Sequence, residues 1–214
     1  MAALTAALGA CSSAQTPATE APAAAPAEPA ATSESPTPSG TGKTEITDIF
    51  GPACSQVPAT GEGSAQGMVD DPVATAASNN PLLTTLVKAV TAANLGDTLN
   101  KAEAITVFAP YDQAFKDLDA KNPGTVTKLT TDPNVASQDS TLGKILKYHV
   151  VGTRYDAAGI VSQGTLTSLQ GGTISIGGTA AAPTVNGHQV LCGNIPTKNA
   201  TVFVIDTVLT PPAT

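Results

Sequence analysis

Apolar positions along the chain change period part-way. Leu82, Leu83, Leu86, Val87 and Val90 fall at i, i+1, i+4, i+5 and i+8, one face of a helix. Asn80-Pro81 supplies a cap and a first-turn proline, and Leu95-Gly96 a left-handed stop, so a helix is predicted from about 80 to 96. The stretch 97–100 is expected to add a turn. Asp71-Pro72 starts a shorter helix through Ala77, with Asp71 as its cap. Asp112 is placed to cap a helix that buries Ala114, Phe115 and Leu118, and Leu142, Ile145, Leu146 and His149 mark another. Ile105-Thr106-Val107-Phe108 reads as a strand stopped by Pro110, and Val150-Val151 continues into a second. Residues 44–80 are otherwise irregular, with Ile46, Ile49 and Phe50 on a short helical turn.

From Thr165 to Thr210 the period becomes two. Leu166/Ser168, Thr173–Ile176 and Val190-Leu191 read as short strands, separated by Gly171-Gly172, Gly177-Gly178 and Asn186-Gly187. Asn-Gly between short strands is a hairpin signal. Thr201–Ile205 is nearly continuously apolar, as in a strand buried on both faces. Helices come first and a strand-rich half follows, so the fold class is α+β.

The first 42 residues differ from all of this. They hold 14 Ala, six Pro and three Glu but no Lys or Arg. A segment so poor in large apolar groups cannot offset its ordering entropy, so residues 12–42 are expected to be a disordered Pro/Ala/Thr tether. As a flexible coil it would reach roughly 30 Å. Leu8-Gly9-Ala10-Cys11 has the form of a bacterial lipobox, in which cleavage leaves a diacylated N-terminal cysteine. Residues 1–11 then form a partial lipoprotein signal with Cys11 as the lipidation site. Met1–Ala10 lacks a basic residue and is short, so translation is expected to start upstream. Thr16, Ser35 and Thr37 each precede a proline and suit O-glycosylation.

Residues 43–214 have the composition of one folded domain. With Cys11 lipidated, Cys54 and Cys192 remain. An oxidising compartment favours a disulfide between them, closing a loop of 139 residues, against the alternative of two buried free thiols.

The net charge of −7 disfavours nucleic acid as a partner. No run of 18 apolar residues is present. The chain has no GxSxG, HExxH, Walker A or CxxC pattern, so no catalytic residue, cofactor or metal site is expected. His149, between apolar neighbours, reads as a core histidine, and His188 as an exposed turn residue. Asp206 ends an apolar strand and is expected to accept hydrogen bonds there. Asn199-Ala200-Thr201 has the spelling of an N-glycosylation sequon and is assigned no role.

Three segments together resemble the fasciclin (FAS1) domain family. Thr106-Val107-Phe108-Ala109-Pro110-Tyr111-Asp112-Gln113-Ala114-Phe115 is similar to its first box. Ile145-Leu146-Lys147-Tyr148-His149-Val150-Val151 resembles its Tyr-His segment. The stretch from Asn199 to Leu209, ending Ile205-Asp206-Thr207-Val208-Leu209, resembles its second box. Tyr111 stands where the first box has a small hydroxyl residue, and Asp112 where Asn is commoner. The likeness covers residues 69–212. The lipobox, the tether, the cysteine pair and the segment Asp71–Pro81 also resemble mycobacterial surface lipoproteins of this family. The resemblance implies a wedge-shaped antiparallel β-sandwich with helices packed along one edge, and a Cys54–Cys192 disulfide. It implies mannosylation in the tether.

It further implies a non-catalytic adhesion or interaction domain, displayed on the cell surface or released, that meets a host or neighbouring-cell protein or matrix. Tyr148 and His149, flanked by Leu146 and Val150, are the possible interaction segment, although apolar flanks equally suit a core role. The membrane is met through the lipid anchor alone, and the protein is expected to be a monomer. The alternative is a module that binds a small apolar or lipid ligand at the cell envelope.

Overall fold

A computed structural model describes residues 42–137 and 139–212. These fall within one compact unit. Cys11, Thr16, Ser35 and Thr37 lie outside the described residues.

Two 3-10 turns, Ile46–Asp48 and Cys54–Gln56, lead into four helices: α1 (Ala65–Met68), α2 (Val73–Asn79), α3 (Thr84–Ala92) and α4 (Gly96–Lys101). β1 (Ile105–Pro110) follows, then α5 (Asp112–Lys121), α6 (Thr125–Thr131), α7 (Thr141–Tyr148), β2 (Val150–Val151) and α8 (Ala157–Gln163). Five strands complete the domain: β3 (Thr165–Thr167), β4 (Thr173–Thr179), β5 (Ala182–Val185), β6 (His188–Pro196) and β7 (Ala200–Ile205).

The seven strands form one sheet in the order β2-β1-β7-β6-β5-β4-β3. β1 and β7 pair in parallel, Ile105 opposite Ala200 through Pro110 opposite Ile205. The other neighbours are antiparallel. The α+β class holds, with one correction: the sheet is mixed. The parallel pair is possible because the chain between β1 and β7 is long enough to cross over. The two ends of the sheet also meet. Val151 bridges Ser168, and the Leu169 N–H donates to the Val150 carbonyl at 2.7 Å. The sheet therefore curls almost into a barrel.

Alternation along β1 and β7 builds two cores. Ile105, Val107, Ala109, Ala200, Val202 and Val204 face the helical layer. Phe108, Phe203 and Ile205 face the interior of the curled sheet, with Ile160 of α8 and Ile174 and Val185 of the later strands. The Phe108 and Phe203 rings sit 5.8 Å apart between centroids. Both strands are buried at every position, which explains the nearly continuous apolar run at 201–205.

Helix boundaries depart from the local signals for identifiable reasons. α3 begins at Thr84, not Asn80, because Asn80 Oδ1 accepts the Leu82 N–H and holds a turn there. It ends at Ala92. Asn94 takes the left-handed conformation (φ 52°), while Gly96 opens α4. α2 is not capped by Asp71; the N–H groups of Val73 and Ala74 donate to Asn199 Oδ1 and Asn100 Oδ1. Gly177-Gly178 lies inside β4, which pairs with β5 in a hairpin that the sequence period did not reveal.

Candidate functional site

α2, α3, α4 and β1 enclose a cavity of about 500 Å³ together with the junction of α7 and β2. That is within the usual range for small-molecule sites, roughly 300–1,000 Å³. α3 supplies Leu86, Val87 and Val90 to its wall, α4 supplies Leu99, and β1 supplies Val107. The stripe on α3 is wider than packing on the sheet requires. Leu86 is buried against the core, whereas Val87 and Val90 stay half-exposed on the cavity side.

Three polar residues of the α2–α4 wall are engaged within the domain. Asn100 Oδ1 accepts the Ala74 N–H at 2.9 Å, and its amide donates to Thr75 Oγ1 at 3.3 Å. Ser78 donates to the Thr75 carbonyl at 2.6 Å.

The Tyr-His segment divides at this point of the fold. Leu146, His149 and Val150 line the cavity. Tyr148 turns the other way, into the curled sheet; its hydroxyl donates to the Thr173 carbonyl at 2.6 Å and accepts from Asn186 Nδ2 at 3.1 Å. All four side chains are buried, at 2–5% exposure, so a partner does not reach them from the outer surface. His149 Nδ1 is 2.8 Å from the Ile145 carbonyl, and Nε2 accepts the Leu209 N–H at 2.9 Å. The tautomer that satisfies both contacts carries its hydrogen on Nδ1. Burial pushes the imidazole pKa down to about 4, opposed in part by the Ile145 carbonyl.

Cys54 and Cys192 are joined by a disulfide, Cα atoms 4.9 Å apart, which ties the second 3-10 turn to β6. His188 is exposed, and its Nδ1 lies 3.6 Å from Asp206 Oδ1, a contact that is ionic only when the ring is protonated. Asp206 Oδ1 has no hydrogen-bond partner, so the acceptor role expected at the strand end is not filled by this atom. Arg154, also buried, donates to Thr201 Oγ1 and the Thr197 carbonyl rather than to a carboxylate. Asp112 accepts from the first turn of α3 instead of capping its own helix. Among the described residues no group of three or more His, Cys, Asp or Glu gathers as a metal site, and no helix is long and apolar enough to cross a membrane.

Two features escaped the reading of local pattern. Asn199 spends its whole side-chain amide inside the fold, accepting from Val73 N–H and donating to the carbonyls of Leu99 and Ala102. The cavity itself joins residues from α2, α3, α4, β1 and the α7–β2 junction, and only the width of the α3 stripe hinted at it.

The fasciclin domain family model matches residues 81–211. The chain belongs to the fasciclin domain family. Two fasciclin-domain relatives come from Mycobacterium bovis. Immunogenic protein MPB70 is 44% identical over 174 residues, covering 78% of this chain and 84% of that protein. The cell surface glycolipoprotein MPB83 is 42% identical over 200 residues, covering 90% of this chain and 82% of that protein. Among solved structures, a FAS1 domain pair from the insect cell adhesion molecule Fasciclin I superposes with a TM-score of 0.58 at 18% identity. That match covers 69% of this chain and about half (52%) of the pair, and it shows the fasciclin fold alone.

Proposed function

We propose that this protein is a non-catalytic surface lipoprotein. In this reading Cys11 carries the acyl chains, residues 12–42 hold the domain away from the envelope, and the FAS1 domain makes contact with a protein or matrix of a host or neighbouring cell. The observation that carries it is the likeness, over 90% of the chain, to a protein named as a cell surface glycolipoprotein. Two acyl chains suffice for stable anchoring where one does not. Thr16, Ser35 and Thr37 are the glycosylation sites of the tether. No nucleic acid is involved, and the protein acts as a monomer.

The test has two arms. Cells of the native host, carrying the gene at its own locus, are phase-partitioned with detergent; the native protein enters the detergent phase, and Cys11→Ser moves it to the aqueous phase. Beads coated with the full chain are then offered to host cells and matrix proteins. Equal retention of coated and bare beads refutes the contact role.

A second reading is favoured by one specific observation, the apolar cavity beside His149. Here the domain holds a small apolar or lipid molecule at the envelope. Native mass spectrometry of protein from its own host would show the added mass, and a clean apo mass would count against it.

A further inference from the structure

We propose that the cavity holds one linear acyl chain whose anionic head lies at Lys147. This rests on the apolar-ligand reading and narrows it to a ligand class.

The interior decides the tail. Leu86, Leu95, Val107 and Leu146, 3–8% exposed, form its apolar floor, and Leu169, 47% exposed, carries the apolar surface out to the lip. Asn100, Ser78 and both His149 nitrogens already have partners within the domain. A polypeptide segment seated on that floor would bring a backbone N–H and C=O at each residue and find apolar side chains in place of partners. A hydrocarbon chain carries no polar group to strand. The volume agrees. At about 500 Å³ the cavity lies in the range of sites that take small molecules, roughly 300–1,000 Å³.

Charge decides the head. Lys147 lines the cavity with a side chain three-quarters buried (25% exposed), and its ammonium has one loose carboxylate neighbour, Asp139, at 3.7 Å and 89% exposed. At that distance, with Asp139 almost fully in solvent, the pair holds weakly and yields to a better-placed anion. Asp97, on the α4 wall, repels an anion placed beside it and so directs the head toward α7. A fatty-acid carboxylate and the phosphate of a single-chain phospholipid present the same charge.

The test uses the full chain stripped of lipid and isothermal titration calorimetry below the micelle limit. The probes are dodecanoic acid, dodecan-1-ol and a dodecanoyl lysophosphatidylglycerol. One equivalent of each anionic probe should bind, about fivefold tighter than the alcohol, and Lys147→Gln should remove that preference. If the acid alone binds, the source is a free fatty acid; if the phospholipid binds at least as well, the source is a membrane lipid, and both outcomes support the site. Val90→Trp and Val87→Trp each push an indole ring into the cavity and should weaken binding severalfold, with melting temperature confirming that the variant is folded. Equal binding of acid and alcohol overturns the head assignment while leaving the apolar-ligand reading intact. Failure of all three probes overturns both. Unchanged affinity in a folded Trp variant overturns the location. A ligand-free dimer that Val90→Trp dissociates makes a second copy the occupant and also overturns the proposal.

Discussion

His149 accepts the backbone N–H of Leu209, 60 residues further along the chain, through a ring nitrogen that must stay unprotonated to do so. The folded ring titrates near 4 against an ordinary 6.5. Between those values the unfolded chain binds the extra proton, so stability is complete above pH 6.5 and is lost as pH falls toward 4. The loss due to this one ring is about 3 kcal/mol. Urea unfolding at pH 7.5 and pH 4.5 should show it, and His149→Gln should flatten the difference. Identical pH slopes for the two proteins would rule out a buried neutral imidazole.

Asp112 receives the Thr85 N–H at 2.7 Å and the Thr84 hydroxyl at 2.6 Å. It therefore caps α3 from the start of α5 and locks two helices together. Asp112→Ala should cost about 1–2 kcal/mol, and Asp112→Asn less, since one acceptor oxygen survives. Chemical denaturation of the three proteins reads the order directly; a silent alanine variant would mean that water replaces the cap at no cost.

The amide of Asn199 meets three backbone groups, in α2, in α4 and in the turn before β1. Asn199→Ala would leave them unpaired in a half-buried place, at about 3 kcal/mol. The same engagement closes the sequon. Expressed in a host capable of N-glycosylation, folded protein should carry no glycan at Asn199, and peptide mass spectrometry detecting one would contradict the burial of this side chain.

Removing the disulfide with the paired change Cys54→Ser and Cys192→Ser releases a closure spanning 138 positions. The chain-entropy account puts the loss near 5 kcal/mol before any relief of native strain. The melting temperature should fall on reduction, and limited proteolysis should then cut first between 44 and 64, the segment that the bridge holds to β6. A reduced protein as resistant as the oxidised one would show that the Phe50–Gly193 bridge suffices to hold it.

Elements with their own stripe were legible. α7 emerges from its helical spacing, which announces the face it buries, and β1 from its β-branched and aromatic run at 105–108. α8 passed unnoticed although Asp156 accepts the Gly159 N–H at 2.6 Å and Gly164 closes it in the left-handed region. Its seven residues bury only Ala157 and Ile160, too few to set a period. Cap assignments failed wherever the acceptor came from elsewhere in the chain: Asp71 lost its role to Asn199 and Asn100, and Asp112 gave its own to α3. The parallel pairing of β1 with β7 and the cavity were hidden for the same reason. Both arise from long-range neighbours, and no local period encodes those.

The contact between Val151 and Ser168 has a consequence for a protein held at high local density. β2 and β3, the outermost strands, are two and three residues long, and each faces the other. Neither presents an extended open ladder on which a second copy could template its own strand. Crowded side by side, such domains can be packed closely without seeding fibres.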